Sequence, residues 1–114
     1  PNRRTAAAPT ARDDKAERKR REAELRQAMK REAGPLRDEV ARLEAAVTRA
    51  EKDVADVTRA LGIPGVFDDP ERARKLTLAH GAAKDRAAEL MRQWEDALER
   101  LEEVEARVHA RFGA

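Results

Sequence analysis

The chain has 114 residues, 42% of them charged and 3% aromatic, with a net charge of +2 and no cysteine. One Trp, two Phe and no Tyr cannot fill a thick globular core, and the missing thiols exclude disulfides and a cysteine zinc site. No apolar run approaches the roughly 18 residues of a membrane span.

The length bounds the chain to a single domain. Its abundance of Ala, Glu, Arg and Leu is the profile of long, solvated helices or a coiled coil. It opens at Pro1 with no Met and no secretory leader, and reads as a piece of a larger protein. Five scattered glycines form no phosphate-binding loop, so nucleotide binding by that motif is not expected here.

Pro1–Arg12 lacks apolar periodicity and reads as a flexible linker ahead of a domain spanning residues 13–112. Asp13 or Asp14 is placed to cap a helix over Lys15–Ala33. Gly34-Pro35 predicts a break, because proline disfavours helical geometry in the residue before it. Pro35 then suits the first position of a second helix. From Leu36 the apolar residues step by four and three: Leu36, Val40, Leu43, Val47, Ala50, Val54, Val57, Leu61. That is a heptad seam. Gly62 and Pro64 stop it, leaving a tip loop over 62–69.

Asp69 as cap, Pro70 at the first helical position and Glu71 in the first turn start a helix expected to run to about Arg111. A second seam follows: Leu76, His80, Ala83, Ala87, Leu90, Trp94, Ala97, Leu101, Val104, Val108. Two heptad helices joined by a short loop predict an all-α, antiparallel coiled-coil hairpin, here with an additional basic N-terminal helix. The seam helix Leu36–Leu61 spans roughly 39 Å and Pro70–Ala110 roughly 60 Å, so the second is expected to overhang by about 20 Å. The Lys15–Ala33 helix would cover that overhang, placing Leu25, Ala28 and Met29 near Leu98, Leu101 and Val104. Its Arg/Lys-rich surface would meet six acids (Glu95, Asp96, Glu99, Glu102, Glu103, Glu105).

Several residues invite a sharper reading. Residues 1–33 hold eleven bases and six acids. The run Arg18, Lys19, Arg20, Arg21, continued by Arg26, Lys30 and Arg31, has the charge needed to contact phosphates. The alternative is a solvated helix with pairs such as Glu17–Arg21 and Glu22–Arg26. Arg72, Arg74 and Lys75 offer a second, weaker cluster at the tip, offset by Asp68, Asp69 and Glu71. No aromatic interleaves the basic run, which argues against reading of single-strand sequence. Trp94 falls on the seam as a packing residue whose N–H wants a partner or solvent. Phe67 is expected to close the tip over Leu61 and Leu76. His80 has no companion at ligand spacing, so no metal site is expected. A two-helix hairpin has no cleft for the paired acids, so neither catalysis nor a bound cofactor is expected in this chain.

The order of these pieces resembles a known family. Lys19–Leu43 reads KRREAELRQAMKREAGPLRDEVARL, followed by a heptad helix, the tip FDDPE at Phe67–Glu71, and QWEDALERLEE at Gln93–Glu103. This resembles the C-terminal coiled-coil domain of ABC-F family ATP-binding proteins of the Uup and YheS type. The match covers about Asp13 to Val108, with a longer tip over Gly62–Val66. The resemblance implies a cytoplasmic parent with two ATP-binding cassettes, using ATP and Mg at sites upstream of Pro1. No membrane partner is expected, since the family has no membrane domain and this chain no apolar span. The intramolecular hairpin read above makes the fragment a monomer. Its expected target is the ribosome and its RNA foremost, or duplex DNA. A structural coiled coil for protein–protein contact or dimerisation is the rival expectation.

Overall fold

The computed structural model describes residues 10–113, so the expected linker over 1–12 lies largely outside the described residues. Two long helices, α1 (Ala11–Leu61) and α2 (Pro70–Arg111), flank a short 3-10 turn at Val66–Asp68. They pack antiparallel along one seam into an elongated hairpin. Every residue of the two predicted seams is buried or half-buried.

The start of α1 differs from expectation. Thr10 is the cap, and Asp13 is the third helical residue. The Thr10 hydroxyl accepts from the Asp13 N–H at 3.1 Å, and the Asp13 carboxylate accepts from the Thr10 N–H at 3.3 Å. This reciprocal box satisfies two amides that the helix leaves unpaired, and Asp13 and Asp14 favour its positive end. Ala11 and Arg12 are helical.

The predicted break at Gly34-Pro35 is absent: α1 runs through it as one helix of 51 residues. Two local features reduce the conflict. Gly34 has no Cβ to clash with the proline ring. Pro35 sits on the exposed side. The stronger cause is tertiary. Ala33 is fully buried and Leu36 packs into the same cluster. Glu32 and Arg37 pair across the interface with Arg111 and Glu105. Contacts to α2 on both sides of the proline hold one axis, and they outweigh a local preference of about 3 kcal/mol.

At 1.5 Å per residue α1 is about 76 Å long and α2 about 63 Å. The overhang is therefore the reverse of that expected: α1 outruns α2. The end of α2 is indeed covered, but by the continuing α1. One core cluster joins Ala28, Met29 and Ala33 to Leu101 and Val108, with Leu25, Leu36, Val40, Val104 and Phe112 packed on it.

At the tip, Gly65 takes the left-handed conformation (φ 86°) that reverses the chain. The Asp69 carboxylate accepts from the Arg72 N–H at 3.2 Å, and Pro70 opens α2 as predicted. Val66, 5% exposed, closes the tip; Phe67, 68% exposed, does not. The 3-10 turn directs adjacent side chains to different sides, so burying Val66 turns Phe67 outward.

Candidate nucleic-acid interface

The apolar seam of α1 ends where α2 ends. Counting the heptad backward from Leu36 gives Ala33 and Met29, both buried, and then Arg26, Glu22, Lys19, Lys15 and Arg12. The stripe that faces α2 thus becomes a mainly cationic stripe once α2 is gone. Every residue from Ala11 to Glu22 is exposed. The first ten of these form a free helical end about 15 Å long.

Arg18, Lys19, Arg20 and Arg21 lie on this free end or at its root, and Arg26, Lys30 and Arg31 lie beside α2's last turns. All seven are exposed. Among the described residues, Arg18, Lys19, Arg21, Arg26 and Lys30 form no ion pair. Arg20 reaches Glu17 only at 4.0 Å, and Arg31 reaches Glu32 at 3.9 Å. The anticipated pairs Glu17–Arg21 and Glu22–Arg26 do not form. Arg12 and Lys15 join the stripe and were missed by the sequence reading. The signal for them was the heptad phase carried back through Pro35.

The acidic stretch of α2 does not neutralise this run. It lies beside the middle of α1, where the bridging pairs are Arg37–Glu105 at 2.6 Å and Glu39–Arg100 at 3.3 Å. Nearer the end, Arg111 grips Glu32 with both guanidinium nitrogens, one at 2.8 Å. The hydrogen bond from Arg111 is the main cause that lowers the Glu32 pKa, with Arg31 and Arg107 adding to it. The same bond raises Arg111. Glu95, Asp96, Glu99, Glu102 and Glu103 stay exposed and unpaired among the described residues.

Arg72, Arg74 and Lys75 are exposed at the opposite end of the hairpin, so the structure does not bring the two basic clusters together. Trp94 is half-buried on the seam as predicted, beside Val47, Thr48 and Met91, but its indole N–H is buried without an acceptor. His80 is half-buried. Among the described residues no three His, Asp or Glu side chains gather as a metal-ligand cluster, and no helix is long and apolar enough to cross a membrane. Compared with protein-family models, curated proteins and solved structures, the chain finds no match.

Proposed function

We propose that this chain is a non-catalytic coiled-coil arm that contacts nucleic-acid phosphates through the basic end of α1. The observation that carries the reading is the coincidence of three features at one place. The apolar seam stops, the partner helix stops, and cations, most of them without an ion-pair partner, take over the stripe that faced α2. A charged stripe left unneutralised on a stiff rod attracts a polyanion and needs no pocket to do so. The resemblance to the ABC-F C-terminal domain makes ribosomal RNA the first target and duplex DNA the second. It also places ATP and Mg chemistry in cytoplasmic cassettes outside this chain.

The test is binding to ribosomes, a structured RNA and duplex DNA, each at two salt concentrations. Reversing Arg18, Lys19, Arg20 and Arg21 to Glu should abolish measurable binding. The more conservative change to Gln should lower the slope of log K against log salt by about 3 to 4. Binding unchanged by the reversal would refute the proposal. The rival reading, protein–protein contact, is favoured by one observation: the exposed large hydrophobics Ile63, Phe67 and Leu78 all lie toward the tip. Under that reading, changing Ile63 and Phe67 to Ser would abolish partner capture and leave nucleic-acid binding untouched.

A further inference from the structure

The sequence places no aromatic among the basic residues, but the fold does. Where α2 ends, Phe112 comes to rest beside the root of the free α1 end. Arg21 and Glu24 of α1, with Arg111, Phe112 and Gly113 at the end of α2, line an open notch of about 420 Å³. Phe112 is half-buried, held on one side by the core cluster of Met29, Ala33 and Val108. The Arg111 guanidinium lies 6.0 Å from the centre of the Phe112 ring and is fixed in place by Glu32. Two flat groups, a ring and a guanidinium, are therefore held at the mouth of the basic stripe. Their positions are set by packing and by a bidentate ion pair, so little side-chain freedom remains to be lost on binding.

We propose that this notch is a stacking site for one unpaired nucleobase, resting on the proposed phosphate contact by the adjoining basic run. A base placed there would lie against Phe112 and Arg111. Arg21 would meet its phosphate, and the Glu24 carboxylate would accept from an amino or imino N–H on the base edge. Stacking of this kind tolerates any base, because every base has a π-face. It requires an unpaired base, because a base inside a duplex is already stacked on its neighbours. The notch therefore gives the arm a preference for looped or single-stranded segments over continuous duplex, which charge alone does not provide.

The experiment compares a single-stranded oligothymidylate of about 12 nucleotides with a duplex of the same length. Phe112→Leu keeps an apolar group against the core and removes the ring. It should weaken single-strand binding roughly tenfold and leave duplex binding unchanged. In a second variant, Trp94→Phe with Phe112→Trp, the only indole sits at the notch. Its fluorescence should be quenched by the single strand and unaffected by the duplex. Equal effects on both probes, or none, in folded variants would overturn the stacking site. Duplex binding that is lost on reversing Arg18, Lys19 and Arg20 would leave the phosphate reading standing by itself. Failure of the native chain to bind either probe at low salt would overturn both.

Discussion

Replacing Pro35 with Ala separates a continuous α1 from a broken one. In a continuous helix Pro35 occupies an interior position and costs about 3 kcal/mol relative to Ala. Proline also restricts the unfolded chain, and losing that restriction takes back about 0.4–1 kcal/mol. The side chain is exposed, so its removal leaves no cavity. The net expectation is a gain of about 2 kcal/mol, or roughly 10 °C in Tm for a domain of this size. Gly34→Ala should add about 1 kcal/mol only once Pro35 is Ala, since a Cβ there meets no other part of the fold within 4 Å but would crowd the ring of the adjoining proline. The two changes are neighbours and need not add. Urea and thermal unfolding followed by circular dichroism at the helix band read both effects. If the helix instead broke at Gly34, Pro35 would sit at a first helical position, where proline is favoured. Pro35→Ala would then be neutral or destabilising, and that result would refute the continuous rod and with it the register that frees the basic end.

Three further outcomes follow from the geometry. Val66→Ala should lose about 1.5 kcal/mol, whereas Phe67→Ser should change stability by less than about 0.5 kcal/mol; a larger effect at Phe67 would restore it as the residue that closes the tip. Gly65→Ala forces a Cβ into the left-handed region and should cost about 1–2 kcal/mol in the same unfolding assay. Glu32, Asp56 and Glu89 have pKa values lowered by hydrogen bonds from Arg111, Lys52 and Arg92 respectively. A carboxylate whose pKa is lowered by folding stabilises the fold above its ordinary value and loses that contribution as pH falls through the folded value. Thermal stability should therefore fall as pH drops below about 4.5. Arg111→Gln should remove the interhelical share of that fall, and stability that rises on acidification would contradict the assignment.

The seams from Leu36 to Leu61 and from Leu76 to Val108 were legible because a repeat of 3.5 residues can be buried only as one stripe of a helix against another. The start of α2 was legible for a local reason: Asp69, Pro70 and Glu71 act within a single turn and need nothing from the rest of the fold. The basic character of Arg18–Arg31 was equally plain, since charge is a property of composition. The sequence by itself therefore determined a heptad hairpin with a cationic end. Pro35 was misread because its local preference is real, and only contacts with Glu105 and Arg111, some seventy to eighty residues away, reveal that it loses. The tertiary structure also decided which of Val66 and Phe67 turns inward, which helix outruns the other, and that Phe112 stands beside Arg21. Each depends on where α2 stops along α1, and that axial register is a property of the packed pair that neither helix carries in its own repeat.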